Sequence, residues 1–172
     1  MKTAMLVLIV LAAGGCATAP AAESGPVASA DLADASGRTV AAANIRQSGG
    51  GLLVHVESRG LNAGTYGTHL HTVGLCEPPG FTSAGSHWNP TAHQHGRDNP
   101  QGPHLGDLPN LVVDASGRGS VDFTIPSGAL TGGANPLLDA DGAAIVVHAS
   151  PDDYRTDPSG NSGARMACGV LR

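Results

Sequence analysis

The chain has a single lysine, Lys2, so every other cationic side chain along its 172 residues is an arginine. Asp and Glu number 14 against 9 Lys and Arg together, a formal net charge of -5. Phosphate backbones are bound by clustered positive charge, and its lack here argues against nucleic acid as a partner. No apolar run is long enough to span a bilayer: the stretch from Met5 to Ala13 is short and is stopped by Gly14-Gly15. Helical periodicity is equally scarce, which turns attention to strands.

Lys2, the apolar stretch and the small residues before Cys16 read as a signal peptide over residues 1–15. Small residues ahead of a cysteine also resemble a bacterial lipoprotein signal, in which Cys16 becomes the acylated N-terminus. Ordinary secretion, with Cys16 left beside the cut, is the alternative, and Ala13, where a Leu is more usual, keeps it open. Residues 16–26, rich in Ala, Pro and Ser, read as a flexible tether. Residues 27–172 then form one domain with room for a single core. The expected location is the periplasm, with membrane contact only through a lipid at Cys16. With Cys16 acylated, Cys76 and Cys168 remain as an even pair, which an exported protein can keep as a disulfide.

Short alternating or β-branched runs recur about every ten residues between clusters of Gly, Pro, Asn and Asp. They predict an all-β domain with strands over 27–32, 39–46, 52–58, 68–73, 110–114, 120–125, 144–149 and 165–171. The turn Asp-Ala-Ser-Gly-Arg occurs at 34–38 and again at 114–118, each between two strand-like runs, with Gly where positive φ suits a hairpin. Two long segments, 74–108 and 150–164, interrupt the pattern. Loops of that length inside a domain are functional or disordered, and a metal with a disulfide would order the first. The second, which carries Asp152, Asp153, Arg155 and Asp157, reads as a lid or wall.

What the sequence does have is histidine. His69, His71, His87, His95, His104 and His148, with Asp107, exceed the needs of one tetrahedral ion and point to two. His69 and His71 project from the same face of a strand, about 6.5 to 7 Å apart, so both rings can reach one ion. His148 ends another strand and can add a third nitrogen. His95, His104 and Asp107 resemble a structural zinc site lacking one donor, and His87 is the plausible missing donor for both groups. An imidazole that loses its second N–H proton can ligate two cations, and the paired positive charge makes that loss attainable. Copper would then see His69, His71, His87 and His148, and zinc would see His87, His95, His104 and Asp107. His55 alternates with Val54 and Val56, faces solvent and is assigned no role. Spacing alone leaves His93 and His95 equally eligible for one position.

The run from Gly67 to Gly74 (Gly-Thr-His-Leu-His-Thr-Val-Gly) and the run from Gly160 to Gly169 resemble the two signature segments of copper/zinc superoxide dismutases. Between them Cys76, Thr82-Ser83-Ala84-Gly85, His87-Trp88-Asn89-Pro90, His95-Gly96 and His104-Leu105-Gly106-Asp107-Leu108 follow the family's order. The resemblance implies an eight-stranded Greek-key flattened barrel, an immunoglobulin-like sandwich with two long functional loops. It selects His95 over His93 and supports His87 as the bridge. Asp152 matches the carboxylate that joins a copper histidine, His69, to a zinc histidine, His95. Arg165 matches the arginine beside the copper, and Cys76 with Cys168 matches the intrachain disulfide. One copper and one zinc per subunit are implied, with superoxide as substrate.

A guanidinium at Arg165 also suits an anionic substrate on an acidic protein. Segment 150–164 departs from the family in being short, with Arg155 its only positive residue. The competing reading is a noncatalytic periplasmic copper/zinc-binding or copper-delivery protein. Such a protein would be expected to lack the bridging histidine, a copper ligand or Arg165, and none is missing. A β-sandwich interaction module with incidental histidines ranks last. No strand presents an unmistakable apolar dimer face, which leaves monomer and homodimer both open.

Overall fold

The computed structural model describes Gly25 and residues 27–172, so the expected signal peptide, Cys16 and nearly all of the tether lie outside the described residues. The strands are β1 (Val27–Asp34), β2 (Thr39–Ser48), β3 (Gly51–Ser58), β4 (Gly64–Tyr66), β5 (Thr68–His71), β6 (Leu111–Val113), β7 (Ser120–Pro126), β8 (Ala144–His148) and β9 (Arg165–Val170). The one helical piece among the described residues is a 3-10 turn at Thr82–Ala84.

Alternation decides which side of each strand is buried. In β1, Ala28, Ala30 and Leu32 face inward while Val27, Ser29 and Asp31 face out. Register carries the inner row across the sheet, opposing Ala28 to Ile45, Ala30 to Ala43 and Leu32 to Ala41. A residue that slipped by one place would turn this row to solvent, so the pattern fixes the pairing. Leu32, Ile45, Leu52, Leu70, Leu111, Ile125 and Ile145 are fully enclosed. Each such side chain contributes about 1.5–3 kcal/mol by leaving water.

All pairings between these strands are antiparallel, and seven strands follow one another in the order β5-β8-β9-β1-β2-β3-β7. β6 pairs with β4 and packs beside β7, so the strands run around a flattened barrel. β4 and β5 are two halves of one strand broken at Gly67, which reconciles nine segments with the eight strands expected. A Cβ at Gly67 would lie 2.8 Å from Ser162 Cβ, so only glycine lets the chain pass this close. The repeated turn is the same device twice. Asp34 Oδ1 accepts the N–H groups of Ser36 and Arg38 at 2.9 and 3.1 Å, and Asp114 Oδ1 those of Ser116 and Arg118 at 2.8 and 3.0 Å.

β5 and β8 are buried on both faces. Leu70, Ile145 and Val147 point into the barrel. The opposite row, with His69 against Val146 and His71 against Ala144 in register, points outward. Segments 74–108 and 150–164 cover that outer row. Beneath the 3-10 turn, Phe81 and Ala84 pack on Ala144, Val146 and Cys168, and Cys168 is bonded to Cys76.

Candidate metal centre

The outer row of β5 and β8 holds three imidazoles that share one defect. His69 Nδ1, His71 Nε2 and His148 Nε2 are buried and have no hydrogen-bond partner. In each ring the other nitrogen is taken: His69 Nε2 by Asp152 Oδ2 at 2.7 Å, His71 Nδ1 by the Gly85 carbonyl at 3.0 Å and His148 Nδ1 by the Gly163 carbonyl at 3.2 Å. A neutral imidazole that donates one N–H must present a lone pair at the other nitrogen. Burial keeps them neutral, pushing His69 down to about 3, His71 to about 2 and His148 to about 4. Three buried lone pairs without donors are costly unless a cation takes them.

His87 completes this group and opens a second. Its ligand atom lies within 4.8 Å of those of His69, His71 and His148. Its Nδ1 is 2.9 Å from Asp107 Oδ1, which also lies 3.0 Å from His95 Nδ1 and 3.1 Å from His104 Nδ1. His104 Nδ1 and His87 Nδ1 are 3.4 Å apart. Asp107 Oδ2 meanwhile accepts the N–H groups of Gly96 and His104 at 2.9 and 3.0 Å, fixing the carboxylate plane. His69 also comes within 4.8 Å of the His87, His95 and Asp107 ligand atoms. His104 falls outside that set, but its Nδ1 shares Asp107 Oδ1 with the His87 and His95 rings, and these three nitrogens with Asp107 make the second group.

The electrostatics of this second group call for a cation. Burial would raise Asp107, but hydrogen bonds from His104, His87 and His95 hold its carboxyl well below the usual carboxylate range. Burial likewise opposes ionisation of Asp152, and its bonds to His69 and His95 overcome that. Burial also works to lower His95, yet Asp107 and Asp152 together push it up to about 9. In the protein without metal, a proton on His95 is thus the local counter-charge to two carboxylates. A divalent ion among three nitrogens and one carboxylate oxygen is the tetrahedral arrangement that zinc favours. The all-nitrogen group suits copper. The residues present fit both ions.

Asp152 links the two groups, with Oδ2 on His69 and Oδ1 on His95 Nε2 at 3.0 Å. Arg165 lies across the β8–β9 ladder from His148. Its Nη1 and Nη2 donate to the carbonyls of Phe81 and Gly85, both at 2.7 Å. Gly85 therefore orients Arg165 and His71 with one oxygen.

The two histidines outside these groups have other partners. His93 is exposed and bonds the Pro103 carbonyl at 3.1 Å, and His55 pairs with Asp122 at 2.8 Å on the outer sheet face. Several residues that build the site gave no signal in sequence. Asn110 Oδ1 accepts the Asp152 N–H at 2.8 Å and Asn110 Nδ2 donates to the Asp152 carbonyl at 3.0 Å, so one amide fixes that residue's backbone. The Tyr154 hydroxyl accepts the Asn110 N–H at 2.8 Å, and Arg97 stacks 3.8 Å above the Tyr154 ring. Gly160 was legible only as part of a motif, yet a Cβ there would fall on Asp152 Oδ1.

Comparison with known proteins agrees with this geometry. The family model for copper/zinc superoxide dismutase (SODC) matches residues 39–171. Cu-Zn superoxide dismutase 2 of Aquifex aeolicus is 40% identical over 147 residues, covering 84% of this chain and 86% of that one. The Cu-Zn superoxide dismutase of Caulobacter vibrioides is 42% identical over 139 residues, covering 79% and 80%. A crystal structure of a SOD-like protein from Bacillus subtilis superposes with a TM-score of 0.79 at 41% identity, covering 84% of this chain and 97% of that one. The outward histidine row, the carboxylate that links it to the second group of donors and these relatives agree: the chain belongs to the copper/zinc superoxide dismutase family.

Proposed function

We propose that the chain converts two superoxide anions and two protons into oxygen and hydrogen peroxide, with one copper held by His69, His71, His87 and His148 and one zinc held by His87, His95, His104 and Asp107. The observation that carries this reading is the His87 ring, common to both groups of donors. Copper supplies the electron carrier, alternating between Cu(II) and Cu(I), while zinc has no redox chemistry.

The chain's own residues supply the rest. Arg165, a permanent cation clamped by two carbonyls, draws the small anion in and orients it. The carbonyls of Gly85 and Gly163 hold His71 and His148 in the tautomer that presents Nε2. Asp107 keeps Nδ1 of His87 directed to the zinc side. Nε2 of His87 would face copper, and once released from it would take a proton and pass it to the departing peroxide.

Superoxide decay measured with protein loaded with copper and zinc tests the proposal, and accelerated decay is expected. Full occupancy of both metals without acceleration rejects it in favour of a metal-binding or copper-delivery role. We further propose export to the periplasm and a lipid anchor at Cys16. A disulfide suits an oxidising compartment. Mass spectrometry of membrane material should reveal a diacylglyceryl adduct, and a freely soluble mature chain without it rejects the anchor.

A further inference from the structure

Segment 150–164 reaches the second group of donors through two carboxylates. Asp152 is one. The other is Asp157, whose Oδ1 accepts the main-chain N–H of His95 at 2.7 Å and lies 3.9 Å from His104 Nε2. Nε2 is the ring nitrogen that His104 turns away from Asp107, because Nδ1 takes that side. The 3.9 Å separation is too long for a direct hydrogen bond, so the contact acts through charge or one bridging water.

The neighbouring Asp153 shows what a carboxylate serving only the loop looks like. Its oxygens accept from Arg155 N, Thr156 N, Thr156 Oγ1 and Asn161 Nδ2, all within the same segment. Asp157 Oδ1 instead reaches across to the other long loop. Its side chain is 48% exposed, against 8% for His104 and 0% for His95, so it stands at the solvent edge of a buried pair of rings.

We infer that Asp157 is a positioning residue for the zinc site, restraining His95 through its main-chain N–H and His104 through its outward nitrogen, and thereby sets how tightly zinc is held. This rests on the reading that His95 and His104 ligate zinc. Partners that orient a ligating imidazole raise its basicity and fix its direction, and their loss weakens metal binding while leaving the ligands in place. Because the contacts of Asp157 at the site are to His95 and His104 and to none of His69, His71, His87 and His148, its direct effect falls on zinc.

The test is zinc affinity by chelator competition on the full chain, for the parent, Asp157→Ala, Asp157→Asn and His104→Ala. Asp157→Ala should weaken zinc binding roughly 10- to 100-fold. Asp157→Asn keeps an oxygen for the His95 N–H and should recover part of that loss. Copper affinity should be unchanged in both, and the metal-free protein should lose no more than one hydrogen bond's worth of stability in Asp157→Ala, read as a small drop in melting temperature. Zinc affinity of Asp157→Ala equal to the parent's overturns the inference, as does a parallel loss of copper, which would mean general damage to the loop. If His104→Ala binds zinc as the parent does, the ligand assignment itself fails, and the inference with it.

Discussion

At the scale of single residues, the outer row works by giving His69, His71 and His148 one committed nitrogen and one open one. His148 shows the consequence most simply. Its Nδ1 is held by Gly163, its Nε2 has no partner, and the rings paired with Asp107 are those of His87, His95 and His104. His148→Ala should abolish superoxide dismutation and copper binding while zinc remains, as elemental analysis would report; undiminished activity would mean the copper ligands are misassigned. The same rings govern acid stability without metal. In an unfolded chain a histidine takes its proton near pH 6.5, whereas folded His69, His71 and His148 do so only at about 3, 2 and 4. Between these values the unfolded state binds more protons, so the stability present above about pH 6.5 is lost as pH falls. His95 runs the other way: raised to about 9, its contribution is complete below about pH 6.5 and is lost as pH climbs through 9. Urea midpoints of the metal-free protein should therefore peak near neutrality and fall more steeply on the acid side, where three rings act against one. A flat profile from acid to neutral pH would contradict this.

At the scale of elements, strands place His69, His71 and His148, segment 74–108 brings the other four donors to them, and segment 150–164 locks the assembly. Gly160, at φ 63, lies where any side chain would fall on Asp152 Oδ1 and within 2.7 Å of His95 Nε2. Gly160→Ala should displace Asp152 from both rings and lower zinc content, while the far-ultraviolet circular dichroism stays that of the parent barrel. Retained zinc would show that the loop yields without cost. This division also explains what the sequence made legible. Period-two alternation exposes a strand with one buried face, and the histidines stand out because there are eight of them, six among the seven candidate donors. The short strand Gly64–Tyr66 leaves no alternation in the sequence because its three residues include a glycine and pair with β6 across the long connection. Asp157, Asn110 and Tyr154 were equally silent as site residues. Each acts on a main-chain group or across a gap between two loops, and neither relation leaves a spacing rule in the sequence. The clamp on Arg165 is hidden for the same reason, since its acceptors are carbonyls that every residue carries.

At the scale of the whole molecule, an acidic protein must attract an anion. Arg165→Ala should lower the rate of superoxide decay and flatten its dependence on ionic strength without removing metal, because the local positive potential at the donor row is lost. An unchanged salt response would remove Arg165 from that role. The disulfide bears on the same point from a distance. Cys76 and Cys168 are 92 residues apart in sequence, so their bond constrains most of the unfolded domain. Chain entropy puts its contribution at about 4 to 5 kcal/mol at most. It also pins segment 74–108 to β9, and that segment carries Phe81 and Gly85, whose carbonyls hold the Arg165 guanidinium. Replacing both cysteines by serine should therefore do two things together: lower the denaturation midpoint of the metal-free protein, and move the activity and its salt dependence toward those of Arg165→Ala. A variant that loses stability but keeps the parent's salt response would show that packing of Phe81 and Ala84 against Val146 holds the carbonyls without the covalent link.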